Sequence, residues 1–137
     1  MGIAALILWL LTAVGGFVLL GTWIAKGGTR PTGTTLLPVP VVFGHFLLAV
    51  AGLVVWIVYL AVDKVALAWI AFALLIPVAL LGFFMLLRWL PTYRARATIE
   101  ALEPAERHFP VAVVGGHGVL AVTTVVLVLL TAIGVGR

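Results

Sequence analysis

"PVPVVFGHFLLAV", residues 38–50, and "PVAVVGGHGVLAV", residues 110–122, nearly repeat one another. Set with His45 over His117, they agree at nine of thirteen positions, among them Pro38/Pro110, Gly44/Gly116 and the histidines themselves. Apolar helices share Val, Leu and Ala by coincidence. A proline, a glycine and a histidine in one register are a stronger signal. Each copy opens a long apolar run, and the nature of those runs decides the fold.

The surrounding composition identifies the solvent. Hydrophobic residues make up 65% of the 137-residue chain and charged residues 9%, against about 25% charged in an ordinary soluble domain. Spanning a bilayer takes roughly 20 mostly apolar residues, and four runs qualify: about 3–25, 39–61, 65–90 and 110–133. The sequence therefore predicts an all-α integral membrane protein in contact with the lipid bilayer. Gly27 and Gly28 favour a stop after the first run. Pro40 is tolerable in a first helical turn, and Pro77 should kink the third helix. The first run lacks a basic leader, so it reads as a retained helix and not a signal peptide.

The connections differ. Little more than Asp63–Lys64 joins helices 2 and 3, which makes a tight antiparallel hairpin. Loop 1 (residues 26–37) is rich in Gly and Thr. Loop 3 (residues 91–109) carries "TYRARATIEALEPAERH", whose middle could form a short surface helix before Pro104. Lys26, Arg30, Arg88, Arg94, Arg96 and Arg107 lie on the loop 1/loop 3 side; Lys64 and Arg137 lie on the other. The positive-inside rule places loops 1 and 3 in the cytoplasm and both termini outside. Trp23, Trp89 and Tyr93 fall near one membrane boundary, and Trp9, Trp56, Tyr59 and Trp69 near the other, as in an aromatic belt. The net charge of +4 is topological on this reading, and no basic stripe points to nucleic acid.

The odd helices echo one another as the even ones do. "GFVLLGTWI" (16–24) lies over "GFFMLLRWL" (82–90), matching Gly16/Gly82, Phe17/Phe83, Leu20/Leu86 and Trp23/Trp89. The offset is 66 for the odd helices and 72 for the even, so the second copy has a loop longer by six residues. The expected architecture is a four-helix bundle made of two tandem parallel helical-hairpin repeats, about 1–62 and 63–137, in a single domain. Units that each cross the membrane twice are related by an axis along the membrane normal. Helices 2 and 4 then run in the same direction and hold His45 and His117 at one depth.

His45 and His117 are the only ionisable residues well inside the spans. Such groups are costly in lipid and mark functional sites by default. Three readings are open. In the first, the two histidines are axial ligands of one b-type haem. Diagonal helices of a square bundle stand roughly 11–14 Å apart, given neighbours at about 8–10 Å, and that suits two imidazoles with an iron between them. Gly44, Ala49 and Gly52 near His45, and Gly116 and Ala121 near His117, would leave room for the macrocycle. Arg94 and Arg96, among the basic residues of that side, would meet its propionates. In the second, the chain is a non-catalytic membrane accessory or assembly protein whose histidines and small residues only pack helices together. In the third, they form a transition-metal or proton site, with His108 too near the interface to join readily. Thr12, Thr22, Thr123, Thr124 and Thr131 read as back-bonded or interhelical contacts. Glu100, Glu103 and Glu106, set among arginines, read as a solvated charged loop. The sequence contains no Cys, Ser, Asn or Gln, so thiol and serine nucleophiles are excluded; whether the protein is an enzyme stays open.

"GHFLLAVAGLVVWIVYL" and "GHGVLAVTTVVLVLL" resemble the histidine-bearing helices of membrane b-type cytochromes, the cytochrome b561-like proteins among them. The resemblance covers two of the four helices. It implies haem b held by His45 and His117, and electron exchange with a quinone or a larger membrane complex. A two-haem cytochrome would want four such histidines, so one haem per chain is the most it implies. The whole chain also resembles small Ala-, Val-, Leu- and Gly-rich membrane proteins of high-GC bacteria, which implies a bacterial plasma (inner) membrane.

Overall fold

The computed structural model describes residues 1–95 and 103–136 and is all-helical over them. Helices α1 (Gly2–Ala25), α2 (Val39–Val62), α3 (Val65–Arg94) and α4 (Val111–Ala132) are joined in that order, with a short 3-10 turn, Ala105–His108, ahead of α4. All four are long and apolar enough to span a bilayer. Leu80, Leu87 and Val119 each expose about two thirds of their surface. An outer face of this kind needs lipid as its solvent, so the chain is a multi-pass membrane protein built as a four-helix bundle.

Helix ends follow local chemistry. After α1, Gly27 adopts φ +93° and the amides of Gly27 and Gly28 bond back to Ile24 and Trp23, a Schellman stop. Gly134, also at φ +93°, and Val135 repeat it on Thr131 and Leu130 after α4. Asp63 turns the α2–α3 hairpin in the left-handed region, φ 50°. Helix α3 runs past the expected end at Leu90: Pro91 sits within it and its carbonyl still accepts the Ala95 amide. Pro91 removes a donor, but near a helix end the loss of one bond does not stop the remaining turn.

Helix α2 packs closely on α3, and α1 on α4; α3 meets α4 less extensively, and α1 meets α2 least. Hairpin 1–2 thus lies against hairpin 3–4, with the closest contacts across that boundary. Helices α1 and α3 stand on one diagonal, α2 and α4 on the other. Two clusters plug the axis. Trp9, Trp56, Tyr59, Leu75 and Val128 fill the end near the termini, where the Met1 ammonium bonds the Gly136 carbonyl at 2.9 Å. Trp23, Trp89, Leu37, Val42 and Phe109 fill the loop end. The expected aromatic belt is therefore mostly turned inward: Trp9, Trp23, Trp56, Tyr59 and Trp89 are buried, and Trp69 and Tyr93 are exposed.

Candidate functional site

Helices α2 and α4 begin alike. Pro38 and Pro110 are extended N-caps, and each carbonyl accepts the amides three and four residues on. Those equal starts make His45 and His117 the seventh residue of their helices. Both lie between the two plugs of the bundle axis.

Each imidazole is held by the odd helix beside it. His45 Nδ1–H donates to the Val78 carbonyl on α3, and His117 Nδ1–H to the Thr12 carbonyl on α1, both at 2.9 Å. A carbonyl only accepts, so the neutral ring carries its proton on Nδ1 and leaves Nε2 with a free lone pair. One turn on from each carbonyl is a glycine. A Cβ on Gly82 would lie 3.3 Å from His45 Cε1, and one on Gly16 would lie 3.2 Å from His117 Cε1. Val78/Thr12 and Gly82/Gly16 keep the 66-residue offset of the odd helices, just as the histidines keep the offset of 72. The partners are backbone carbonyls, which no residue type announces. Gly16 and Gly82 were the available signal, and Gly15, also against His117, carried none.

The two rings meet across the α2/α4 diagonal with centroids 6.2 Å apart and planes tilted by 56°. Two metal–nitrogen bonds of about 2 Å plus two ring radii span about 6 Å, so the centroid separation matches that of two imidazoles sharing one ion. Among the described residues no three His, Cys, Asp or Glu side chains gather, and each half-buried imidazole is bonded through Nδ1 alone, leaving Nε2 without a protein partner and still accessible. A bare metal ion wants about four protein ligands. A haem would carry four nitrogens of its own and need two more from the protein, which His45 and His117 would supply. The donor set present thus fits a haem better than a free ion. A histidine that ligates iron also characteristically donates its other N–H to a carbonyl or carboxylate, as both do here.

The remaining expected site residues are divided. Gly44 is open up to Leu81 Cδ1, 3.9 Å from where a Cβ would stand, and Gly116 faces open space. Gly52 makes room for Trp9: a Cβ there would lie 3.1 Å from the indole. Ala49 packs on the plug near the termini, and Ala121 is half-buried. Arg94 is exposed at the end of α3, and Arg96 lies outside the described residues. His108 pairs loosely with Glu103, at 3.8 Å. The five threonines noted in the spans all bond the carbonyl four residues back.

Glu106 departs from the solvated loop expected of it. It is fully buried, while Arg107 pairs with Glu103 at 3.0 Å. Its carboxylate accepts the Thr35 hydroxyl at 2.8 Å and the Leu36 amide. Thr35 Oγ1 accepts the Trp23 indole N–H at 2.9 Å, and the Glu106 carbonyl accepts that of Trp89 at 3.1 Å. The loop 3 turn is thereby latched to loop 1 beneath both buried tryptophans. No known protein-family profile, curated protein or solved structure matches the chain, so its own geometry carries the functional reading.

Proposed function

We propose that this is a haem b-binding membrane protein in which His45 and His117 hold one iron between α2 and α4 and the bundle serves one-electron transfer. The observation that carries the reading is the arrangement of the two rings: both Nδ1–H groups are tied to backbone carbonyls, both Nε2 atoms are unpartnered, and 6.2 Å separates the centroids. Haem would supply the redox chemistry. The chain's own residues would fix the imidazole tautomers, and its two aromatic plugs would keep water from the axis. Arg94 and its basic neighbours would take the propionates, with loops 1 and 3 on the cytoplasmic side of a bacterial inner membrane. A tandem duplication accounts for the shared offsets.

A second reading rests on the same hydrogen bonds. His45 joins α2 to α3 and His117 joins α4 to α1, so each histidine also works as an interhelical contact with no cofactor. Expression with ample haem, purification in detergent and an absorption spectrum separate the two. Haem ligation gives a Soret band and narrow α and β bands on reduction, lost in His45→Ala and His117→Ala. A colourless, folded protein refutes the haem and leaves the packing role.

A further inference from the structure

A groove of about 530 Å³ runs down the outside of the α3/α4 contact. Phe83, Trp89 and Tyr93 line it from α3, and Gly115, Gly118 and Val122 from α4. The first half of the chain has the equivalent crevice between α1 and α2, with Phe17 for Phe83, Trp23 for Trp89, and Val50 for Val122. There it is filled. Phe46 meets Phe17 edge-on at 5.8 Å, and Phe43 meets Trp23 edge-on at 6.3 Å. Offset by 72, Phe43 and Phe46 become Gly115 and Gly118, two of only four differences between residues 38–50 and 110–122. A Cβ on either glycine would meet nothing within 4 Å. By these offsets the α3/α4 groove corresponds to the α1/α2 crevice without its two rings, and α3 and α4 stand closer together there than α1 and α2 do.

We infer that this groove binds a membrane-soluble molecule carrying a flat aromatic or quinonoid ring, seated over Gly115 and Gly118 and against Phe83 and Trp89. The occupant's shape comes from what the other half puts in the same place. Rings packed edge-on gain attraction beyond the area they bury; among the described residues Phe83 has no such partner, and Trp89 is stacked on Tyr93 at 5.1 Å with no edge-on ring like the one Trp23 has in Phe43. A saturated chain fills volume without supplying that geometry. The groove faces lipid, so its ligand enters from the bilayer. The inference is independent of the histidines and of any haem.

Two double variants exchange the halves. Gly115→Phe with Gly118→Phe writes the first half's rings into the groove, and Phe43→Gly with Phe46→Gly empties the crevice. The full chain in detergent micelles is titrated with a prenylated 1,4-naphthoquinone, and separately with oleic acid. Binding is read by equilibrium gel filtration and by tryptophan quenching. The wild type should bind one naphthoquinone per chain, saturably, and at least tenfold more tightly than oleic acid. The glycine-to-phenylalanine pair should weaken naphthoquinone binding at least tenfold with no loss of helicity. The phenylalanine-to-glycine pair should raise the stoichiometry towards two. Unchanged affinity in the filled variant overturns the inference, and so does equal binding of oleic acid, which makes the groove an acyl-chain site. A wild-type dimer that turns monomeric on filling makes it a contact between two copies and overturns it too. If the filled variant does not fold, the emptied one decides: a stoichiometry that stays at one refutes the ring-shaped site.

Discussion

Glu106→Gln is a demanding test of the latch, because it removes a buried charge with almost no change of shape. The carboxylate accepts two hydrogen bonds, one on each oxygen, from the Thr35 hydroxyl and the Leu36 amide. An amide can replace only one of these oxygens as an acceptor. With its oxygen on Leu36, its NH2 faces Thr35 Oγ1, which already accepts from the Trp23 indole at 2.9 Å and the Leu37 amide at 3.1 Å. Flipped, the NH2 confronts the Leu36 amide instead. The Thr35 proton can turn to the Leu37 carbonyl, but at 3.4 Å that is a weak acceptor. One buried donor is left poorly satisfied either way, at a cost of about 1–3 kcal/mol. Loss of the charge offsets part of this, since a buried carboxylate without a cation is itself costly. The expected net effect is destabilisation by about 1 kcal/mol or more, roughly fivefold in the unfolding equilibrium. Unfolding in mixed micelles, followed by circular dichroism, measures it, and tryptophan emission reports locally because Trp23 and Trp89 both bond to the latch. Glu103→Gln on the exposed neighbour should cost under about 1 kcal/mol. A Glu106→Gln protein as stable as wild type, with unshifted tryptophan emission, would refute the reasoning.

Other positions make sharper contrasts. Gly82→Val or Gly16→Val should push an imidazole off its carbonyl and destabilise by about 1–3 kcal/mol through overpacking, with reduced haem occupancy if haem binds; unfolding and absorption spectra read both effects. Single Gly115→Ala and Gly118→Ala changes should be neutral or stabilising by up to about 1 kcal/mol from helix propensity alone, seen in the same unfolding assay. Gly28→Ala should behave oppositely, since a Cβ there would fall within the Trp23 indole; red-shifted Trp emission and an earlier unfolding midpoint are expected. Asp63→Val should destabilise by about 1–2 kcal/mol because a β-branched residue resists φ 50°, while Asp63→Gly should not.

Hydropathy made the four helices legible, and turn chemistry their ends: Gly27 and Asp63–Lys64 act as their residue types dictate. The even-helix register also placed both histidines at one depth. Four features were hidden, for three physical reasons. Helix α3 outran Pro91 because a proline near a terminus removes little. The tryptophans near the membrane boundaries turned inward because hydropathy reports depth along a span and says nothing of rotation about its axis. Glu106 looked solvated because Glu103 and Arg107 beside it are solvated; its burial depends on Thr35 and Leu36, some seventy residues away. The histidines' carbonyl partners are invisible in the same way, since every residue has a carbonyl and only packing selects Thr12 and Val78.

The pairing of α1 with α4 sets the order in which the bundle can assemble. Of these four helices, α1 is made before the others and has its closest neighbour in α4, made after them, while α2 and α3 are joined by a two-residue turn and can pair as soon as both are in the bilayer. Until α4 and the short turn ahead of it arrive, α1 has only its slight contact with α2, and the Thr12 carbonyl has no imidazole to accept from. Contacts between distant parts of a chain form late, so α4 acts as the closing stave of a barrel. A chain arrested before α4 should hold a formed α2–α3 pair beside a loosely attached α1, and the α1–α4 crosslinks that pin α1 in place should appear only once residue 117 has entered the membrane.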